Sequence, residues 1–353
     1  MPVIGSFLKV QWRLTFDWPD FGFGGRHVCI TGKRSPSGPR QLDYGTWIRI
    51  LDDITATCEQ QGCGGRMHFY VSSRGSEPEY FPTFLEEVHA RGLRIRLLGR
   101  PTYVDAETVE LMVRLGIRPF HLRYMPRDRH PAVDGTPELE AAERAIELLG
   151  AAKIPLRFRF VADESNLADL AATLDFVERH ELRRFDLMRA VPLRRKHGPP
   201  NRGPSPQRFR ELLVATRETF ARWRAAGRPM RLSGHRAEHL WWLLEWEAGQ
   251  VAEAATEGRA IHSCSVGRNL LALRPDGTVW PCRRLPLPVG LLPDQSVAEV
   301  LDSPRLEALR QDRPSCRGCP VAAHCAGCHA MAWGTTGNPL AADPQCWWSG
   351  TGR

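Results

Sequence analysis

The sequence predicts an α/β protein in two parts, a partial (β/α)6 barrel followed by a small cysteine-rich domain. Strand-like and helix-like segments alternate six times through the first two thirds of the chain. Glycines stand where helices should end, namely Gly62, Gly92, Gly116 and Gly150. Seven of the ten cysteines lie within the last 90 residues, and such crowding suggests metal binding.

Each of the six repeating units begins with a short strand and continues into a helix. The strand segments are apolar or alternating, with β-branched or aromatic side chains, and cover residues 7–16, 67–72, 93–98, 119–124, 155–161 and 185–189. The helices cover residues 44–60, 80–90, 106–115, 137–148, 167–180 and 206–225. Consecutive strand–helix units build a parallel sheet with the helices outside, and six strands are too few for the closed eight-stranded barrel.

A helix joins the barrel to the cysteine-rich domain. The predicted boundaries are 1–235 for the barrel, 236–258 for the linking helix and 259–353 for the cysteine-rich domain. Trp241, Trp242 and Trp246 fall at near-helical spacing in the linking helix. This spacing favours packing between the domains over contact with a ligand.

The seven cysteines of the last domain follow an ordered spacing. They run Cys264-x12-Gly277-x4-Cys282, then Cys316-x2-Cys319-x5-Cys325-x2-Cys328, and end with Cys346. The segment between the first two cysteines is typical of a β-hairpin, because Asp276-Gly277 is a strong two-residue turn signal. We therefore expect Cys282 to lie near Cys264.

Thiolates suit zinc, copper(I) or iron–sulfur clusters, because soft ligands match these metals. A zinc ribbon stops at four ligands and would leave three of these cysteines over. Seven thiolates fit one complete four-cysteine cluster and a second cluster with three thiolates and one open iron. Two [4Fe–4S] clusters are therefore predicted, with a single cluster or a zinc site as alternatives.

This spacing resembles the SPASM domain, the auxiliary-cluster extension of radical S-adenosylmethionine (SAM) enzymes. The family pattern is Cys-x9–15-Gly-x4-Cys, then Cys-x2-Cys-x5-Cys-x3-Cys, then a last cysteine, and only the Cys325–Cys328 spacing differs here. The resemblance implies an outer cluster on Cys316, Cys319, Cys325 and Cys346 and an inner cluster on Cys264, Cys282 and Cys328. His262 could supply a fourth ligand to the inner cluster.

The repeating units in turn resemble the radical SAM partial barrel, so the likeness covers nearly the whole chain. The segment Ser73-Arg-Gly-Ser-Glu-Pro78 follows the second predicted strand and resembles the Gly-Gly-Glu-Pro motif of the family. That motif lies beside the amino end of the cofactor in family members. The resemblance implies that Gly75, Ser76, Glu77 and Pro78 contact S-adenosylmethionine, with Ser76 in place of the second glycine.

The motif that holds the radical cluster is absent. Family members follow the first strand with Leu-Thr-x-x-Cys-x3-Cys-x2-Cys, and Leu14-Thr15 is present here. The three cysteine positions fall on Trp18, Gly22 and Gly25, which offer no thiolate to iron.

The barrel has three other cysteines that could replace the missing thiolates. Cys29 lies in the correct loop and could provide one ligand. Cys58 and Cys63 fall at the end of the first helix and before the second strand, at the opposite end of the sheet. We interpret these two as partly buried small apolar residues.

The composition limits the possible partners. The net charge of +8 favours anionic partners, and no stretch interleaves basic and aromatic residues as a nucleic-acid-binding module does. No apolar run approaches the roughly 18 residues of a membrane span, and the first residues lack a signal-peptide layout. We expect a cytoplasmic protein with neither nucleic acid nor membrane as a partner.

These features lead to three functional hypotheses. The first is an accessory or scaffold protein without the usual radical cluster, acting in peptide or natural-product modification with a peptide or small-molecule substrate and a partner enzyme or reductase. The second is an active enzyme whose open-iron auxiliary cluster binds S-adenosylmethionine or substrate, while Arg123, Arg157 and Arg159 hold a carboxylate. The third is an electron-transfer protein. The sequence leaves open whether the protein is an enzyme.

Overall fold

The computed structural model describes residues 7–12, 41–71, 77–123, 138–192, 203–232, 238–251, 264–311, 313–325 and 327–348. Several sites predicted from the sequence lie outside these residues: Trp18, Gly22, Gly25, Cys29, Gly75, Ser76 and His262. No helix in the described ranges is long and apolar enough to cross a membrane.

The described strands form one mixed sheet. They are β1 (Phe7–Trp12), β2 (Gly64–Val71), β3 (Arg94–Gly99), β4 (Phe120–Arg123), β5 (Leu156–Ala162), β6 (Arg184–Arg189), β7 (Arg231–Leu232), β8 (Leu270–Leu273), β9 (Thr278–Trp280) and β10 (Gly290–Leu291). Their order is β10-β9-β8-β1-β2-β3-β4-β5-β6-β7. Strands β1 to β7 pair in parallel, β8 pairs in parallel with β1, and β8, β9 and β10 pair antiparallel.

Helices alternate with the parallel strands, as the sequence predicted. They are α1 (Tyr44–Gln60), α2 (Phe81–Ala90), α3 (Ala106–Arg114), α4 (Glu138–Ala151), α5 (Asp169–Arg179), α6 (Pro206–Ala225), α7 (Trp241–Glu247), α8 (Val297–Leu301), α9 (Pro304–Ala308) and α10 (His329–Thr336). Side-chain caps fix several of the starts. The Asp43 carboxylate accepts the Thr46 N–H at 2.8 Å before α1, and Asp105 with Thr108 forms a capping box at α3.

The helix ends agree with three of the four glycine signals. Gly62, Gly92 and Gly116 follow α1, α2 and α3 in the left-handed conformation. Gly150 instead lies inside α4, and the left-handed residue after that helix is Lys153, with φ 52°. The prediction that Gly150 ends a helix was therefore wrong.

The six predicted strands are present, and the sheet extends beyond them at both edges. The two-residue strand β7 pairs with β6 at one edge. At the other edge, the cysteine-rich segment adds β8 directly to β1, so that Lys9 pairs with Leu270 and Trp12 with Leu273. The cysteine-rich segment thus continues the barrel sheet.

Alternation along the strands separates an apolar core from a polar interior surface. On β2, Met67, Phe69 and Val71 are buried against the helices. The intervening His68 and Tyr70 line a cavity on the concave side of the sheet. Successive side chains of a strand point to opposite faces of the sheet. One face therefore packs against the helices, and the other face lines the barrel interior.

Candidate functional site

A tight turn between β8 and β9 separates the first two cysteines of the candidate site, Cys264 before β8 and Cys282 after β9. The Arg274 N–H donates to the Thr278 carbonyl at 2.9 Å, and the Gly277 N–H donates to the Arg274 carbonyl at 3.0 Å. Three residues thus lie between the paired Arg274 and Thr278, one more than in the predicted two-residue turn, with glycine in the left-handed position at φ +84°. A Cβ on Gly277 would stand 2.0 Å from the Leu292 carbonyl oxygen, so glycine is required there.

Three cysteines face the barrel cavity together. Cys264, Cys282 and Cys328 all line it, with the half-buried Arg284 among them. Burial raises the pKa of Cys264 to about 12, with further increases from Cys328 and Cys282. Burial opposes the charge of Arg284, but the adjacent Cys328 and Cys282 outweigh burial and raise its pKa. These three thiols are the set that the resemblance implies for the inner cluster.

The other four cysteines form a second set. Burial raises the pKa of Cys346 to about 11, and Cys319 and Cys316 add to the increase. Burial also raises the pKa of Cys325 well above its ordinary value, with Cys346 among the further causes. The strongest thiol–thiol influences on these pKa values stay within this set, which corresponds to the implied outer cluster.

Backbone N–H groups approach one sulfur in each set. The Arg284 N–H donates to Cys282 Sγ at 3.5 Å, and the Gly327 N–H donates to Cys325 Sγ at 3.4 Å. Such bonds stabilise thiolate ligands and tune iron–sulfur clusters. Within the described ranges, no three Cys, His, Asp or Glu side chains gather as ligands of one metal ion would. A four-iron cluster binds each thiolate to a different iron and so holds them further apart.

A buried ion-pair network joins the barrel to the last cysteines. Arg189 ends β6, is 2% exposed and makes two parallel hydrogen bonds to Asp343, of 2.7 and 2.9 Å. Its Nε donates to Glu238 at 2.8 Å. Burial raises the pKa of Asp343, but Arg189 outweighs burial and lowers it. Because Asp343 Oδ2 also accepts the Cys328 N–H at 2.9 Å, the network fixes the backbone of a predicted ligand.

The helix before the cysteine-rich segment packs through its tryptophans. Trp241 and Trp242 are fully buried, and Trp242 stacks on His324 with ring centroids 4.7 Å apart. Trp246 is 42% exposed and makes an edge contact with Trp348 at 5.3 Å. The described helix covers Trp241–Glu247 and is followed by Gly249 with φ +69°, and residues 252–258 of the predicted linking helix lie outside the described ones.

The barrel cavity has a volume of about 1240 Å³ and a strongly cationic lining. Among the described residues that line it are fourteen arginine or lysine side chains and four carboxylates. The predicted carboxylate-binding residues Arg157 and Arg159 are two of these cations. Both form ion pairs with Asp186 on β6, at 3.6 and 3.0 Å. The cysteines of the inner set line the same cavity, so a ligand held by the arginines would lie beside them.

A small recess shares part of its lining with the cavity and is formed by residues of β2 to β5 together with Arg283. Its volume is about 40 Å³, and its lining includes Arg123, Arg159, Arg283 and His121. Burial lowers the pKa of His121 well below its ordinary value, and Arg159 lowers it further. The histidine is therefore neutral at pH 7 despite its polar surroundings. Arg283 and His121 were not predicted as site residues, although Arg283 directly follows a cysteine of the spacing pattern seen in the sequence.

The remaining predicted residues that the structure describes are not part of the lining of this cavity. Glu77 and Pro78 precede α2 and are half-buried, and they are the described part of the predicted cofactor loop. Cys58 is buried and Cys63 half-buried at the amino end of β2, opposite to the strand ends that carry that loop. Burial, followed by Cys63, raises the pKa of Cys58 to about 12.

Sequence comparisons identify relatives of both parts. Residues 264–320 match SPASM, described as an iron–sulfur cluster-binding domain. This match includes the first four of the seven cysteines. An AdoMet-dependent heme synthase from Methanosarcina barkeri is 23% identical over 272 residues, which are 72% of this chain and 74% of the synthase.

Solved structures share the fold over most of the chain. Native anSMEcpe with bound AdoMet has a TM-score of 0.65 at 14% identity, covering 92% of this chain and 90% of its own. SuiB of Streptococcus suis bound to its precursor peptide SuiA has a TM-score of 0.62 at 14% identity, covering 97% of this chain and 76% of its own. The resemblance read from the sequence is confirmed.

Proposed function

We propose that this chain, a member of the radical SAM/SPASM superfamily, is an iron–sulfur protein that holds two [4Fe–4S] clusters and binds a substrate beside the inner one. It acts as an accessory or scaffold protein in peptide or natural-product modification. One observation carries the proposal: Cys264, Cys282 and Cys328 line the cavity that also holds the barrel arginines. The usual radical cluster has no thiolates at Trp18, Gly22 and Gly25.

The donor sets suit the proposed clusters. Cys316, Cys319, Cys325 and Cys346 supply four thiolates to the outer cluster, and Cys264, Cys282 and Cys328 supply three to the inner cluster. The half-buried cation Arg284 lies beside the inner set and offsets part of its negative charge. The third inner thiolate comes from Cys328, whose backbone is held by Asp343. The inner set lines the cavity, so a cluster held there would supply iron chemistry beside a bound substrate.

The peptide part of the proposal is supported by relatives of the same fold. SuiB was solved with its precursor peptide SuiA, and anSMEcpe was solved with a Cp18Cys peptide. A cavity of about 1240 Å³ exceeds the roughly 300–1,000 Å³ of ordinary small-molecule pockets and leaves room for a peptide segment. In this proposal a partner enzyme or reductase in the cytoplasm carries out the modification of the bound substrate.

A second candidate is an enzyme in which the open iron of the inner cluster binds S-adenosylmethionine or substrate. The same three cysteines favour it, because they reach the cavity. Iron bound there would supply a Lewis-acidic or electron-donating centre next to the ligand. The loop with Gly75, Ser76, Glu77 and Pro78 would contact the cofactor. The AdoMet-dependent heme synthase that is 23% identical to this chain supports this candidate.

Cofactor cleavage distinguishes the two candidates. Protein reconstituted with iron and sulfide is reduced with dithionite in the presence of S-adenosylmethionine, and 5′-deoxyadenosine is measured. The accessory role predicts no product above background, and product formation by the wild-type chain would overturn that role. The enzyme role predicts turnover that Cys282→Ser abolishes and Cys58→Ser retains. Cys58 is a matched control because it is buried like Cys282 but lies in the barrel, at the far end of the sheet.

A further inference from the structure

The barrel interior carries far more positive than negative charge. Fourteen cationic side chains line the cavity against four carboxylates among the described residues. One of these carboxylates, Asp186, is 1% exposed and shared by two guanidinium groups, Arg159 at 3.0 Å and Arg157 at 3.6 Å. Cations this close repel each other in a site of low dielectric, and an anionic ligand would relieve that repulsion.

The cations converge from both parts of the chain. Arg123 and Arg159 project from neighbouring strands β4 and β5, where they are register partners. Arg283 comes from the cysteine-rich segment, and its backbone N–H donates to Gln11 on β1 at 3.0 Å. Its guanidinium lies over the Tyr70 ring, 4.6 Å from the centroid. All three arginines line the same recess, so the cysteine-rich segment completes a binding site that the barrel begins.

His121 lines both this recess and the larger cavity. It is 5% exposed, and its Nδ1 lies 3.4 Å from Arg159 Nη2. Because arginine can only donate, Nδ1 must accept and the ring proton must sit on Nε2. In the described part of the chain, Nε2 has no hydrogen-bond partner. A buried donor without an acceptor is costly, and an oxygen of a bound ligand would remove that cost.

The size of the recess limits the group that can enter it. A volume of about 40 Å³ compares with the roughly 10–15 Å³ that one buried water requires. A volume of this size holds a group of two or three heavy atoms. A carboxylate has this size, and its two oxygens match the paired donors of a guanidinium.

We infer that the barrel binds a substrate with at least two carboxylates, one of which lies against His121, Arg159 and Arg283, where the recess meets the larger cavity. The remaining carboxylates meet Arg66 and Arg96 in the larger cavity. The inference rests on the proposed function in one respect, that the cavity is the substrate site. The carboxylates belong to a small polycarboxylic acid or to acidic side chains of a peptide, and these two sources share the same chemistry.

Calorimetric titration of the reconstituted full-length protein tests the inference. The peptide arm compares hexaglutamate with hexaglutamine, and the small-molecule arm compares tricarballylate with butyrate. We expect the polyacid of at least one arm to bind ten or more times more tightly than its control, with an affinity that falls as salt rises. The arm with the greater ratio identifies the source. Equal binding of polyacid and control in both arms would overturn the inference.

Two variants locate the binding site. His121→Leu should weaken polyacid binding about tenfold, since one hydrogen bond to a charged group is lost. The matched control is His89→Leu on the exposed face of α2, which should bind as the wild type does. Arg283→Gln gives a second test if His121→Leu fails to fold. Wild-type affinity in a folded His121→Leu or Arg283→Gln protein would contradict the assignment.

Iron and sulfide analysis of the same samples separates the two claims. Clusters without polyacid binding would refute the substrate class and leave the cluster proposal standing. Polyacid binding by a protein without clusters would refute the cluster proposal and leave the substrate class standing.

Discussion

At the scale of single residues, Arg189 connects the fold to the candidate cluster. It is 2% exposed and bonded to Asp343 and Glu238, and Asp343 holds the backbone of Cys328. The buried carboxylates of Glu238 and Asp343 both form ion pairs with the Arg189 guanidinium. Breaking such a pair costs more than its net contribution to folding, because the remaining charges stay buried.

Arg189→Leu should therefore lower the free energy of unfolding by about 3–5 kcal/mol. The control is Arg208→Leu, which removes an exposed ion pair to Glu211 at 2.9 Å and should cost about 0–1 kcal/mol. Urea denaturation followed by circular dichroism measures both. A loss below about 1 kcal/mol for Arg189→Leu would show that the network is not what holds the two parts together.

His121 predicts a pH dependence of stability. Burial lowers its pKa in the folded state, whereas the unfolded chain has the ordinary value of 6.5. The stability from the neutral ring is thus fully present above pH 6.5 and is lost as the pH falls toward the folded pKa. This group should therefore lower the free energy of unfolding as the pH falls from 7.5 to 5.5.

His121→Gln should reduce the difference in unfolding free energy between pH 7.5 and 5.5. Urea titrations at the two pH values provide the measurement, and His89→Gln on an exposed surface should leave the difference unchanged. The account of His121 fails if the variant and the wild type lose the same stability on acidification.

At the scale of elements, the β8–β9 hairpin is the part that brings the cysteine-rich segment to the barrel. Its first strand extends the sheet at β1, and its second leads directly to Cys282. The turn between them depends on Gly277, which has φ +84° and no room for a Cβ. A displaced turn would move Cys282 away from Cys264.

Gly277→Ala should destabilise the protein by more than about 1 kcal/mol and lower its cluster content. The control is Gly150→Ala, because Gly150 lies in helix α4 with no atom within 4 Å of a new Cβ. Alanine there should add about 0.5–1 kcal/mol. Thermal melting and iron analysis give both readouts, and equal behaviour of the two variants would count against the role of the turn.

The elements themselves were largely predictable from the sequence. The barrel strands have local alternation, and α1 and α6 begin and end where the pattern placed them. The pairing of β8 with β1 was not predictable, because it joins residues far apart in the chain and leaves no periodic signal. The contact of Arg189 with Asp343 was not predictable either, because these residues are also far apart in the chain. Arg157 and Arg159 could be identified because both face one side of one strand, whereas His121 looked like any core histidine.

At the scale of the whole molecule, the chain combines a barrel and a cysteine-rich segment in one sheet. The barrel supplies most of the lining of a cationic cavity. The cysteine-rich segment adds the side chains of Cys264, Cys282, Cys328 and Arg283 to that lining. The four other cysteines form a separate set towards the carboxyl end. We therefore expect the two cysteine sets to act independently in metal binding.

Single substitutions should distinguish the sets. Cys282→Ser should remove the inner cluster and reduce bound iron from about eight to about four atoms per chain. Cys319→Ser should remove the outer cluster and likewise leave about four iron atoms per chain. Cys63→Ser should leave the iron content unchanged. Complete loss of iron in either ligand variant would contradict independent sets, and iron and acid-labile sulfide assays give the counts.

The central claim is that the chain binds two clusters, one of them with an open iron, and has no radical cluster in the barrel. Mössbauer spectroscopy of protein reconstituted with 57Fe tests it most directly. We predict about eight irons per chain, all in [4Fe–4S] clusters, with one iron distinct from the others. About twelve irons per chain, with a third site-differentiated cluster, would contradict the claim.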